Sequence, residues 1–145
     1  MTLNDPPSPN VIEISLFGPG LGEAVAVHIG QGKWVVVDSC KDPASARSAT
    51  LEYLERIGVD CSQDVRLVVS THGHDDHIGG LAELLEACSS ARFACPSAMT
   101  KDQFFSSRRG RKARTSPQIG LWALRISTGC DGGEQAPVGL AGVEQ

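Results

Sequence analysis

The sequence predicts an α/β domain followed by a tail of different character. Three observations carry this. Residues 11–37 alternate apolar and polar side chains at the period of a strand. Val65 to Val69 reads as a short apolar strand covered on both faces, and it leads into a loop of histidines and aspartates and then a helical pattern. The charge balance changes sign near residue 103: residues 1–102 carry 7 Lys/Arg and 14 Asp/Glu, whereas residues 103–145 carry 6 and 3.

The elements follow in order. Val11 to Gly18 reads as a strand with Ile12, Ile14 and Leu16 on one face. Gly18-Pro-Gly-Leu-Gly22 is a turn-rich loop. Ala24 to Ile29 alternates again, placing Val25, Val27 and Ile29 together. Gln31-Gly32 makes a hairpin turn, and Trp34 to Val37 is an apolar strand ending at Asp38. A helix follows, with Asp42 as N-cap, Pro43 at its first position, a stripe of Thr50/Leu51, Leu54 and Ile57, and Gly58 as terminator. After Gly79-Gly80, the residues Leu81, Leu84, Leu85 and Cys88 face one way on a second helix. Arg92 to Cys95 reads as a strand, Ala98 to Phe105 as the opening of a third helix, and Leu121 to Ile126 as a short strand. Gly129 to Gln145 has five glycines, one proline and little periodicity, which predicts an irregular tail.

A chain of 145 residues suits one domain. With 41% hydrophobic and 21% charged residues it is neither disordered nor membrane-like. No apolar run approaches the roughly 20 residues of a membrane helix. Met1 to Asn10 holds three prolines and no basic residue, unlike a secretory signal. The five cysteines (Cys40, Cys61, Cys88, Cys95, Cys130) are odd in number and form no CxxC, so they read as reduced packing residues of a cytoplasmic protein.

Three of the four histidines lie within six residues, as His72-x-His74-x-Asp76-His77. Imidazole with carboxylate suits zinc, iron or manganese. Alternate residues of an extended segment point the same way, so His72 and His74 can reach one ion. Where the chain turns into a helix, Asp76 and His77 swing round toward a second. Gly79 and Gly80 let the backbone bend and pack closely there. A lone histidine in such a loop is ordinarily a solvated residue; three with an aspartate after a buried strand call for another reason.

The segment Val68-Val-Ser-Thr-His72-Gly-His-Asp-Asp-His77-Ile-Gly-Gly80 resembles the signature of the metallo-β-lactamase fold superfamily. The resemblance implies an αββα sandwich, of which roughly residues 11–105 form the N-terminal half, leaving 106–145 as a basic, then Gly-rich tail of uncertain structure. It implies His72 and His74 as ligands of one metal and Asp76 and His77 of another, with Asp76 also catalytic. The ions would be two zincs, with manganese or iron possible. Trp34-Val-Val-Val-Asp38 matches the family's hairpin ending in an aspartate, which gives Asp38 the role of supporting the metal loop from behind the ligands. The implied chemistry is hydrolysis, a metal-activated hydroxide attacking an ester, thioester, amide or phosphodiester. Gly20-x-Gly22-Glu23-Ala24 and Gly32-Lys33-x-Val-Val-Val-Asp38 are similar to the branch with the hydrolase domains of DNA-uptake competence proteins, which points to a phosphodiester or nucleotide substrate; the same glycines also read as a plain turn entering a hairpin.

The sequence departs from the family pattern downstream. No histidine follows His77, and His28 reads as an ordinary strand residue. Each metal is then at least one ligand short of the usual three. Asp102, Cys130 and Asp131 are the in-chain substitutes, and weak metal binding is expected. No Asp or Glu occurs from Gln103 to Cys130, so the remainder reads as a frame-shifted or replaced end. Arg108 to Arg114 packs five basic residues into seven, which reads first as a solvated charge cluster on a helix end or loop and second as a contact for nucleic-acid phosphates. A half-sandwich leaves an apolar sheet face that a homodimer could cover. The alternative to an enzyme is an inactive truncated fragment serving as a metal- or nucleic-acid-binding interaction module.

Overall fold

The structure, a computed structural model, describes residues 4–18 and 22–97, and the backbone of 121–127 and 139–143. Its strands are β1 (Val11–Phe17), β2 (Ala24–His28), β3 (Trp34–Val37), β4 (Val65–Val69), β5 (Arg92–Ala94), β6 (Leu121–Ser127) and β7 (Gly139–Val143), and its helices are α1 (Ala49–Arg56), α2 (Cys61–Asp64), α3 (Asp75–Ile78) and α4 (Leu81–Ala87). The strands form one sheet in the order β5-β4-β3-β2-β1-β6-β7. β1, β2 and β3 form an antiparallel meander, and β4 joins β3 and β5 in parallel. Two-residue connections serve only antiparallel pairs, so the parallel β3–β4 pair needs the long α1–α2 crossover. The β2–β3 turn carries Gln31 at φ 52° and Gly32 at φ 70°. Two successive positive φ values match the twist of a tight hairpin, as the sequence predicted.

The helices cover one sheet face. Phe17, Ala24, Ala26, Trp34, Val36, Val65 and Val68 from the strands form one core with Leu51, Tyr53 and Leu54 of α1 and Leu81 and Leu84 of α4. Ala24 and Ala26 are small where β2 runs beneath α1, so the helix can lie close to the sheet. Tyr53 packs on Phe17 and Trp34, with ring centroids 5.3 and 6.3 Å apart.

The deeply buried side of β1 and β2 is not the one the alternation picked out. Glu13, Ser15, Phe17, Ala24, Ala26 and His28 face the helices, whereas Leu16 and Ile29 are 45% and 51% exposed. The polar groups on the core side are satisfied there. Tyr53 donates its hydroxyl proton to Glu13 Oε1, and Ser15 Oγ donates to the same oxygen at 3.2 Å. His28 sits between Val11 O, 2.6 Å from Nδ1, and Gly32 N, 3.1 Å from Nε2. Gly32 N–H can only donate, so Nε2 is the acceptor and Nδ1 carries the proton. His28 is therefore a fixed structural residue, as expected. The opposite face carries Ile12, Ile14, Leu16, Val25, Val27, Val35, Val37, Leu67 and Val69.

Further differences from the sequence reading concern ends of elements. The first helix begins at Ala49, not after Asp42. Asp42 Oδ1 instead accepts from Ala44 N at 2.7 Å and Ser45 N at 3.1 Å, closing a turn. Ala46, at φ 60°, stops that turn from continuing. Ser48 is the true cap, accepting from Leu51 N at 3.2 Å. β4 is not covered throughout: Arg66 is exposed. The short α2, capped by Asp60, was not foreseen. β6 occupies the strand expected at Leu121 to Ile126 and pairs antiparallel with β1. Gly139–Val143 forms β7, paired with β6, within the stretch expected to be irregular. The expected helix from Ala98, the basic cluster Arg108 to Arg114, Asp102, Cys130 and Asp131 lie outside the described residues.

Candidate metal centre

The site grows from the ends of two parallel strands. Val37 and Val69 are register partners, so β3 and β4 release their chains side by side. The carboxyl ends of parallel strands are where α/β proteins gather ligands. Asp38 N donates to Val69 O at 2.8 Å, holding the two exits together. Asp38 takes φ 59°, a left-handed conformation that aspartate tolerates better than most residues. Farther on, Ser39 N donates to His77 O at 2.7 Å and Gly80 N to Ser39 O at 2.8 Å, clamping the Asp38 turn to the end of the histidine loop.

Glycines let the surrounding chain approach. A Cβ on Gly22, at φ +115°, would lie 2.4 Å from Asp76 O and 2.9 Å from Cys40 Cβ. A Cβ on Gly80 would meet Ser39 Oγ at 2.7 Å and Ser48 Cβ at 2.8 Å. Gly80 thus supplies the close packing expected of it, while Gly79 and Gly80 keep negative φ (−55° and −99°) and serve no left-handed bend.

A chain of hydrogen bonds fixes two imidazoles. Asp38 Oδ1 accepts from Thr71 N at 2.7 Å, and Oδ2 accepts from Thr71 Oγ1 at 2.5 Å. With its proton given to Asp38, Thr71 Oγ1 can only accept from His72 Nδ1, 2.9 Å away. His77 Nδ1 lies 3.1 Å from Asp38 Oδ2 and must donate to that carboxylate. Both rings therefore carry hydrogen on Nδ1 and, when neutral, a free lone pair on Nε2. This is the arrangement that prepares histidines for a metal: one nitrogen held by an oxygen behind it, the other open in front.

The structure places the other expected ligands around this pair. The His72 and His77 ring centroids are 3.9 Å apart, and those of His72 and His74 are 4.8 Å apart, edge to face. Asp76 Oδ2 lies 3.7 Å from His77 Nε2. His74 and Asp76 are exposed, whereas His72 and His77 are partly buried. Asp38, His72 and His77 offer ligand atoms all within 4.8 Å of one another. The tightest grouping thus includes Asp38, which faces the histidines from the buried side. Thr71 is the member of the site that sequence reasoning missed. Its signal was available: a hydroxyl directly before the first histidine, at the mouth of a strand beside Asp38.

A sequence profile described as "Metallo-beta-lactamase superfamily" matches residues 17–127, well over half of the chain. The chain belongs to the metallo-beta-lactamase superfamily. Its fold is that of metal-dependent hydrolases, and the imidazoles of His72 and His77 with the carboxylate of Asp76 beside His77 Nε2 are donor types that fit a divalent ion. The profile match continues past Phe105, where the motif-based reading stopped. Metallo-beta-lactamase domain-containing protein 1 of Mus musculus is 57% identical over 42 residues, which cover 29% of this chain and 16% of that protein. The subclass B3 metallo-beta-lactamase MEM-A1, from a soil metagenome library, is 25% identical, covers 63% of this chain and 34% of its own, and superposes with a TM-score of 0.44. MIM-1 from Novosphingobium pentaromativorans is 24% identical, with coverages of 67% and 34% and a TM-score of 0.43. The chain thus spans about one-sixth of the mouse protein and about one-third of these structures. Among the described residues no helix is long and apolar enough to cross a membrane.

Proposed function

We propose that this superfamily member is a zinc-dependent hydrolase domain with His72, His74, Asp76 and His77 as its metal-holding residues. The observation that carries this reading is the proton chain through Asp38 and Thr71, which leaves Nε2 of both His72 and His77 open. When bound, a metal supplies a Lewis acid that lowers the pKa of water and offsets charge developing on the substrate oxygen. The chain's residues do the rest. Asp38 holds two imidazoles in one tautomer, one directly and one through Thr71. Exposed Asp76 and His74 stand at the open side, where an ester, thioester, amide or phosphodiester can approach. Asp76, 3.7 Å from His77 Nε2, is placed to hold or orient a water there and is the proposed catalytic carboxylate. Dinuclear zinc is the proposed complement, with manganese or iron as substitutes to be compared.

The test is metal bound per chain at equilibrium with excess free zinc, beside a His72→Ala/His74→Ala double variant, followed by turnover of nitrophenyl esters and phosphodiesters in that zinc. Metal lost in the variant together with zinc-dependent turnover supports the reading. Equal metal content in both proteins overturns it.

A second reading, an interaction module without turnover, is favoured by the apolar sheet face on which Leu16 and Ile29 are 45% and 51% exposed. In this reading a second copy of the chain covers the face, the same patch meeting itself across a twofold axis. A strictly monomeric mass in solution rules that copy out.

A further inference from the structure

The turn that supports the histidine loop also brings a cation to its rim. Lys41 follows Asp38-Ser39-Cys40, the turn that Ser39 N clamps to His77 O. A bridge to Ser48 fixes its backbone from the other side. Its stem lies on Gly79, the residue that ends α3 just after His77-Ile78: Lys41 Cγ and Cδ are 3.6 and 3.8 Å from the place a Gly79 Cβ would take. The stem thus packs at the end of the metal loop while the residue stays exposed, the usual arrangement of an apolar lysine stem with its ammonium in water. Among the described residues Lys41 makes no ion pair, whereas Lys33 and Arg47 each meet a carboxylate at 2.7 Å. The carboxylates of this region have other partners. Asp38 accepts from Thr71 and His77, Asp42 accepts from Ala44 N and Ser45 N, and Asp76 faces His77.

We propose that Lys41 determines substrate specificity in the hydrolase reading above, on which this inference rests: its ammonium takes an anionic oxygen of the substrate, either a phosphate oxygen of a diester or a carboxylate carried by an ester. Asp38 and Asp76 give the histidine loop negative charge, which repels an anion. Lys41 offsets that charge from the chain itself, at the rim where a substrate enters. A neutral ester gains nothing from it. An ammonium is a compact point charge with rotatable donors, so it accepts phosphate and carboxylate oxygens alike. The contact exists in the bound substrate and in the transition state equally, so it acts on KM and not on kcat.

The experiment compares the full chain with three variants. Lys41→Met keeps a stem on Gly79, Lys41→Arg keeps the charge, and Arg66→Met removes a charge from an exposed residue near the start of β4, the end away from the histidine loop. All are assayed in excess free zinc with bis(nitrophenyl) phosphate, with the carboxylate-bearing mononitrophenyl glutarate and with neutral nitrophenyl acetate. Lys41→Met is expected to raise KM about tenfold for at least one anionic substrate, the scale of one hydrogen bond between charged groups, and far less for the neutral ester. Lys41→Arg recovers most of that loss. Which anion responds tells a phosphate site from a carboxylate site. Binding is read apart from turnover by titrating dimethyl phosphate and propionate into each protein in the same zinc, following the amide signals of Gly79 and position 41. Lys41→Met should weaken the responding anion by the same factor. A KM change equal for charged and neutral substrates overturns the proposal, as does one that Arg66→Met reproduces. Failure of the parent to bind either anion overturns it as well. Absence of zinc-dependent turnover in the parent overturns the hydrolase reading instead, and the titration then decides whether Lys41 holds anions.

Discussion

Asp38 Oδ2 lies 3.1 Å from His77 Nδ1 while also receiving the hydroxyl proton of Thr71. One oxygen of one carboxylate thus sets the tautomers of two histidines, one directly and one through a hydroxyl. Asparagine at this position keeps the shape and tolerates φ 59°, but it turns an amide N–H₂ or a single weaker acceptor toward those two donors. Asp38→Asn is expected to lower zinc affinity about 10- to 100-fold with little change in fold. Calorimetric titration of the metal-free protein checks it. Affinity within twofold of the parent would mean that the histidines do not depend on Asp38.

The glycine loop before β2 is expected to matter through contact. Alanine at Gly22 would drive its Cβ to 2.4 Å from Asp76 O, so the histidine loop or the strand entry must move. Gly22→Ala should cost about 1–3 kcal/mol and weaken metal binding in parallel. Gly32→Ala is the control. Its φ is +70° but nothing lies within 4 Å of an added Cβ, so only the conformational cost of about 1–2 kcal/mol applies. Chemical denaturation of both, with metal titration, separates the effects: Gly32→Ala should leave affinity unchanged.

These residues also mark how far the sequence could be read. The metal loop was legible because its histidines crowd into six positions after a strand, a density that packing alone does not produce. The hairpin beside it was legible from period and from turn chemistry at Gln31-Gly32. The helix start was misread because Asp42-Pro43 is also good turn chemistry, and only tertiary contacts favour Ser48: its N–H reaches Glu83 Oε2 at 3.0 Å and its hydroxyl meets Ser39 Oγ at 2.8 Å. β7 was missed because glycine-rich segments carry no alternation, and pairing with β6 supplies its order from outside.

The face of β1 was the least legible. Alternation names Ile12, Ile14 and Leu16, yet Glu13 and Ser15 are fully buried. A buried carboxylate is tolerated only when hydrogen-bonded, and Tyr53 of α1 supplies a hydroxyl forty residues away in sequence. Tyr53→Phe removes that donor and leaves the ring packing on Phe17 and Trp34. The expected loss is about 1.5–3 kcal/mol, the range for a hydrogen bond to a charged group, read by urea denaturation at unchanged m-value. A loss below about 0.5 kcal/mol would mean that the remaining contacts of Glu13 suffice.

Burial pushes the Cys40 thiol up to about 11, with the negative charges of Asp42, Asp38 and Glu23 adding to it. At pH 8 it stays protonated and unreactive, whereas exposed Cys95 is open to reagent. Iodoacetamide at pH 8 should label Cys95 in minutes and Cys40 only after unfolding, as mass spectrometry of the peptides can resolve. The sign for stability follows. The unfolded thiol ionises near 9.0 while the folded one holds its proton, so stability declines as pH rises from about 9 to about 11. Cys40→Ala should flatten that part of the thermal profile. Rapid labelling of Cys40 in the folded protein would contradict both expectations.

The last prediction concerns how firmly a metal is held. A catalytic zinc ordinarily takes three protein ligands. His72 and His77 present prepared nitrogens, but His74 and Asp76 are exposed, and no histidine follows His77. Ordering two exposed side chains at binding costs free energy that a prepared site does not spend. Zinc should therefore leave the purified chain during dialysis against a mild chelator, and thermal stability should rise with added zinc only at concentrations well above that of the protein. Stoichiometric zinc surviving dialysis would mean that further ligands join these four, and X-ray absorption at the zinc edge would then count the nitrogen, oxygen and sulfur donors.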